Sequence, residues 1–135
     1  MNGRLVDTNV ILDLFLNDPN WADWSEKTLN QYGALGELYI NPIIYSELSI
    51  GFQRIEELEE ALQIADFQML EIPREALFLA GKAFLQYRKQ KGTKHSPLPD
   101  FYIGAQAAVM GLTLITRDVA RYHSYFPTVQ LITPE

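Results

Sequence analysis

Short apolar runs alternate with longer stretches of helical periodicity along this chain. Residues 4–6 read as a short buried strand, and Val10, Ile11, Leu14 and Phe15 then recur at helical spacing, predicting a helix over 9–16 that Asp18-Pro19 ends. A second helix is predicted over 21–32, with Gly33 at its C-terminal end, and a second strand over 38–40. Asn41-Pro42 has the form of an N-cap followed by proline at the first helical position, and Ile43, Ile44, Glu47 and Leu48 follow at helical spacing. A further helix over 54–65, a third strand over 68–72 and a long amphipathic helix over 75–91, ended by Gly92, complete the middle of the chain. After a polar loop over 92–98 come a helix over 99–110 with a small-residue stripe (Gly104, Ala105, Ala107, Ala108) capped by Gly111, a strand over 113–116, a short helix near Val119 and a last strand over 128–132. Strands alternating with helices predict an α/β fold: a three-layer α/β/α sandwich around a mostly parallel sheet of about five strands.

Bulk properties narrow the class. The 135 residues suit one domain spanning 1–135, and 47% hydrophobic with 21% charged residues predicts a packed core rather than disorder. The absence of cysteine excludes a disulfide framework and a thiolate metal site, and it suits a reducing cytoplasm. No basic segment followed by an apolar stretch opens the chain and no apolar run approaches a membrane span, so neither a signal peptide nor a membrane partner is expected. Met1 directly precedes the first predicted strand, so the chain is expected to be complete at that end.

The net charge of -6 argues against a sequence-blind nucleic-acid coat. Its distribution changes that picture. Six of the eleven basic residues (Arg74, Lys82, Arg88, Lys89, Lys91 and Lys94) fall between 74 and 94 beside a single acid, Glu75. The preceding segment holds Glu56, Glu57, Glu59 and Glu60, so a two-sided electrostatic surface is expected.

The candidate chemistry lies in four acids. Asp7 closes the first strand, Asp118 follows the strand over 113–116, Asp100 opens a helix after Leu98-Pro99, and Glu47 lies one helical turn from Ile43 beside an apolar stripe. Carboxylates at the ends of parallel strands point into the crevice where such folds bind ligands. Each acid also has an ordinary explanation: Asp7 and Asp118 as helix caps, Asp100 as a first-turn acid favoured by the helix dipole, Glu47 as a solvated helical glutamate. Four together, without matching bases, repel one another unless a divalent cation neutralises them. Thr8 and Asn9 are candidate polar supports. Arg88, Lys89, Lys91, Lys94 and Arg117 are candidate contacts to flanking phosphates. His95 and His123 do not form a metal spacing, no glycine-rich phosphate loop is present, and the serines lack the strained turn of a hydrolase nucleophile.

Taken in order, Leu5-Val6-Asp7-Thr8-Asn9-Val10-Ile11-Leu12-Asp13, Ser46-Glu47, Pro99-Asp100-Phe101-Tyr102-Ile103-Gly104-Ala105, Leu114-Ile115-Thr116-Arg117-Asp118 and Tyr125-Phe126-Pro127 resemble a PIN domain, and more specifically a VapC-like toxin of a type II toxin–antitoxin pair. The resemblance covers nearly the whole chain. It implies a ribonuclease dependent on Mg²⁺ or Mn²⁺, with Asp7, Glu47, Asp100 and Asp118 as the acid quartet and metal ligands and Thr116 as a nearby support. It further implies a homodimer, a VapB-like antitoxin whose tail lies across the acids, and a structured or loop RNA substrate such as tRNA or rRNA. Two alternatives stand beside it: a housekeeping RNA-processing PIN protein, and a non-catalytic RNA- or partner-binding module with a structural ion. A phosphate-accepting signalling receiver fits less well, because Thr8-Asn9 follows Asp7 and no lysine follows the late strand.

Overall fold

The computed structural model describes residues 3–90, 92–93 and 98–134. Its five strands are β1 (Arg4–Val6), β2 (Leu38–Ile40), β3 (Phe67–Met69), β4 (Thr113–Ile115) and β5 (Leu131–Ile132). Its seven helices among the described residues are α1 (Thr8–Phe15), α2 (Ala22–Gly33), α3 (Pro42–Ser49), α4 (Ile55–Ile64), α5 (Arg74–Lys89), α6 (Pro99–Met110) and α7 (Val119–Tyr125). All strand pairs are parallel, in the order β3-β2-β1-β4-β5.

That order is doubly wound. The chain steps outward one way from β1 to β2 and β3, then returns to β4 and steps outward the other way to β5. Right-handed crossovers therefore put α1–α4 over one face and α5–α7 over the other. Within the layers, α1 lies on α2 and α3, α3 on α4, α5 on α6, and α6 on α7, and α3 also meets α6 across the division. The strand order reverses between β1 and β4, whose ends flank the crevice in which such sheets bind ligands.

The central strands are buried on both faces, with Leu5, Val6, Leu114 and Ile115 fully enclosed. Apolar burial at these four residues is worth about 1.5–3 kcal/mol per side chain. Where α6 runs beneath α7, Gly104 has no room for a side chain, since a Cβ there would come within 2.3 Å of the Phe126 ring. The α6 helix ends at Gly111 with φ of 65°.

A buried polar bridge ties the two helical layers together. Asn41 caps α3 by accepting from the Ile44 amide at 2.8 Å, and its Nδ2 donates to Gln106 Oε1 at 2.9 Å. Gln106 Nε2 in turn donates to the Glu71 carbonyl at 3.1 Å. Both side chains are fully buried, so this link fixes α3, which carries Glu47, relative to α6, which carries Asp100.

The edges of the sheet differ from the sequence expectation. β3 covers 67–69 rather than 68–72, because its partner β2 offers three residues and pairing runs only from Leu38↔Phe67 to Ile40↔Met69. β5 is restricted to Leu131–Ile132 rather than 128–132, since only Leu114 and Ile115 pair with it. Edge strands have one neighbour each, so apolar character beyond the paired stretch does not extend them. Among the described residues, no helix is long and apolar enough to cross a membrane.

Candidate active site

Asp7 is the centre of the crevice. The end of β1 carries its backbone to the N-cap position of α1, where Oδ1 accepts from the Thr8 amide at 2.8 Å. Its other oxygen, Oδ2, accepts from the Thr116 hydroxyl at 2.7 Å and the Tyr122 hydroxyl at 3.1 Å, with Asn9 Nδ2 at 3.5 Å. The side chain is only 4% exposed. Burial is the main reason its carboxyl is pushed up from 3.8 to about 6, and the negative Asp100 adds to the rise. The three hydrogen bonds from Thr116, Tyr122 and Thr8 work against it.

The other acids surround this position from separate elements. Asp100, in the first turn of α6, lies within 3.5 Å of the Tyr122 hydroxyl through Oδ1 and within 3.4 Å of Arg121 Nε through Oδ2. Its carboxyl is also held above the usual range, first by burial and then by the charges of Asp118 and Glu47, with Arg121 and Tyr122 opposing. Glu47 accepts from the Thr8 hydroxyl at 2.6 Å, which draws α3 toward the end of β1. Asp118 stands at the N-cap of α7, but its carboxylate makes no cap bond. Instead its amide donates to the Thr116 hydroxyl oxygen at 3.0 Å. Thr116 thus orders two acids at once, donating to Asp7 and accepting from the backbone of Asp118.

Asp7 does cap its helix, with one oxygen only, and Asp100 is a first-turn acid of α6, whereas Asp118 makes no cap bond. Oδ2, Asp100 and Asp118 are left for the crevice. Among the described residues, no three acids stand close enough together to hold an ion as they are. An all-oxygen, net-negative set of this kind fits a hard divalent cation, because Mg²⁺ is usually held by one or two carboxylates, retained waters and substrate phosphates rather than by a closed protein cage. Asp7 and Asp100 would hold such an ion, with Glu47 and Asp118 at its edge.

The remaining candidates divide. Thr8 and Thr116 are buried and touch site acids. Asn9 reaches Asp7 only at 3.5 Å, and its Oδ1 is buried without a partner. Arg117 is committed elsewhere: it donates to Asp13 Oδ2 at 2.7 Å and Oδ1 at 3.0 Å, and lies over the Trp21 ring at 4.9 Å. Arg88 and Lys89 are exposed at the end of α5. Lys91, Lys94 and His95 lie outside the described residues.

Three participants were not singled out in the sequence. Tyr122 is fully buried and its hydroxyl serves both Asp7 and Asp100. Burial, followed by the charges of those acids, holds the phenol well above its ordinary range, so it remains a donor. Arg121 pairs with Asp100 and rests on the rings of Phe101 and Tyr87 at 5.5 and 5.8 Å. Asp13, 4% exposed, holds Arg117 and accepts from the Ser25 hydroxyl at 3.1 Å. The signal available for Tyr122 was its spacing four residues after Asp118, on the same face of α7.

The family model described as PIN domain matches residues 4–123. The chain belongs to the PIN domain family. Its PIN fold is also that of solved structures at low identity. VapBC2 from Rickettsia felis, bound to a DNA fragment from its promoter, aligns with a TM-score of 0.74 and 17% identity, over 97% of this chain and 98% of that one. VapBC-1 from nontypeable Haemophilus influenzae aligns with a TM-score of 0.72 and 21% identity, over 97% of both chains. FitAcB from Neisseria gonorrhoeae gives 0.68 and 24%, over 96% of both. No curated protein sequence matches the chain significantly.

Proposed function

We propose that this PIN domain is a metal-dependent endoribonuclease, the VapC-like toxin of a type II toxin–antitoxin pair. PIN domains are generally nucleases that use divalent metals. The observation that carries the reading is the state of Asp7. A carboxylate buried at the end of the central strand, held near 6 and sharing a phenol with a second acid, is an unfavourable arrangement for packing alone. The toxin assignment draws on the structural neighbours, which are VapBC and FitAB complexes. It brings with it a VapB-like antitoxin, a homodimer and a cytoplasmic setting.

When bound, Mg²⁺ or Mn²⁺ supplies charge neutralisation at the scissile phosphate and acidifies a water for in-line attack. The chain supplies the geometry. Thr116 and Tyr122 fix Asp7 Oδ2, Tyr122 also orients Asp100, and Thr8 holds Glu47 at the rim. Asp118, free of cap bonding, is the acid best placed to accept a proton from the attacking water. Arg88 and Lys89 would engage flanking phosphates, and Lys91 and Lys94 are further candidates from the sequence. Arg117 serves the scaffold. The substrate is single-stranded or loop RNA, such as a tRNA or rRNA loop, whose backbone can bend into a cleft.

Purified protein should cleave RNA with Mg²⁺ or Mn²⁺ and stop on chelation. Asp7→Asn and Asp100→Asn should each lower the rate by a factor of about 100 or more while the folded signature persists. Full activity in both variants would sink the site assignment.

A further inference from the structure

A second hollow adjoins the acid crevice. Tyr87, Asp118, Ala120, Arg121, Ser124 and Tyr125 line a cavity of about 310 Å³, open to solvent along one side. Two walls are aromatic, Tyr87 from α5 and Tyr125 from α7, with ring centroids 6.5 Å apart and planes inclined at 65°. Both rings are held in place. The Thr93 amide donates to the Tyr87 hydroxyl at 3.3 Å, and the backbone at Gly92 packs so tightly that a Cβ there would lie 2.2 Å from the Tyr87 ring. The Tyr125 hydroxyl donates to Gln90 Oε1 at 2.9 Å, and its ring meets Phe101 edge-on at 5.3 Å.

The hollow is joined to the crevice by two side chains. Arg121 touches the Tyr87 ring on one side and Asp100 on the other. Asp118 lines the hollow and acts electrostatically on Asp100. A phosphate seated in the hollow would be repelled by Asp118, while the cation lining it, Arg121, is already paired with Asp100; an uncharged flat ring meets no such repulsion. The volume is at the lower end of small-ligand sites, about 300 Å³ and upward, enough for one planar group. Single-stranded RNA is read by unstacking a base onto aromatic and guanidinium planes, with polar groups at its edge.

We propose that this hollow is a nucleobase subsite. It takes the base next to the scissile phosphate, stacked on Tyr87 or Tyr125, with the Ser124 hydroxyl and the Asp118 carboxylate at the base edge. The inference rests on the ribonuclease reading and deepens it, because it gives the cleavage a base preference at one position.

The test uses the full chain carrying Asp7→Asn to prevent turnover. Ser124 is exposed, so Ser124→Trp fills the hollow without replacing an acid or either ring. Tyr125→Leu removes one stacking wall. Affinity for a short single-stranded RNA is measured for the parent and for each variant, and the Mn²⁺-dependent melting shift is measured for Ser124→Trp with Asp7 intact. Each variant should bind RNA about tenfold more weakly, the loss of one stacked base. The Mn²⁺ shift should survive in Ser124→Trp. A parent that binds RNA alongside variants within about twofold of it would overturn the subsite and leave the ribonuclease reading standing. A parent that binds no RNA would overturn both. A filled hollow that changes the sedimentation of the protein but not its RNA affinity would assign the surface to contact between copies, and would also overturn the proposal.

Discussion

Asp13 on α1 and Arg117 after β4 form a two-point ion pair, 2.7 and 3.0 Å, across 104 residues of sequence. Arg117 stands between Thr116 and Asp118, which both belong to the acid crevice. The pair thus pins the β4–α7 turn to the first helix, and the crevice inherits its shape from a contact that does not enter it.

Asp13→Ala should leave the Arg117 guanidinium without its carboxylate beneath Trp21. The acid side chain is 5% exposed but the arginine is 26% exposed, so water recovers part of the loss. The expected cost is about 2–3 kcal/mol, below the full penalty for breaking a fully buried pair. Urea unfolding with an unchanged m-value would measure it. A cost under about 0.5 kcal/mol would show the pair to be ornamental.

Asp100→Asn should raise the melting temperature in metal-free buffer at neutral pH. Its carboxylate is disfavoured by burial and by Asp118 and Glu47, more than Arg121 and Tyr122 restore. Removing the charge relieves that repulsion. With millimolar Mg²⁺ the order should narrow or reverse, because the ion stabilises only a native state that can bind it. Equal metal shifts in the two proteins would remove Asp100 from the cation site.

Asp7 gives the metal-free protein a distinct pH dependence. Its folded value, about 6, is above its ordinary 3.8, so the native state holds a proton that the unfolded chain releases. This stabilisation is complete below pH 3.8 and is lost as pH rises through about 6, on the order of 3 kcal/mol in all. Stabilisation by added Mg²⁺ should run the opposite way and grow as pH rises through the same window, since the ligand must be ionised. Melting curves from acid to mildly alkaline pH, with and without Mg²⁺, would show both trends. Asp7→Asn should flatten both, and an identical pH profile in that variant would disprove the assignment. Tyr122→Phe, which removes a donor to the carboxylate, should move the Mg²⁺ window to higher pH.

The strands, the helices and the four acids were legible because each has a local signature: apolar runs, 3.6-residue periodicity, a carboxylate just past a strand. Asp7 and Thr116 are named by position alone, one after β1 and one after β4. The side chains that organise the crevice have no such signature. Asp13 and Arg117, or Asn41 and Gln106, are partners only because the sheet order brings distant segments together, and one sequence contains no record of that pairing. A trace was present nonetheless. Asp13 lies three residues after Val10, within the apolar stripe of α1, where a charge is stable only if something answers it. The edge strands were overcalled for a related reason: beyond a single backbone hydrogen bond each at Leu70 and Gln130, the residues at 70–72 and 128–130 are not paired into the ladder.

The Thr116–Asp7 hydrogen bond spans 109 residues and joins the first strand of the chain to the fourth. On the ribosome, β1 and its acid emerge more than a hundred residues before Thr116, Asp118 and Tyr122 arrive to close the crevice. Non-local contacts of this kind form late. The crevice is therefore incomplete until Thr116, Asp118 and Tyr122 have been made. Under the proposed toxin reading, this would separate synthesis from activity by an interval, set by chain length and folding rate, in which an antitoxin already present would meet the protein first.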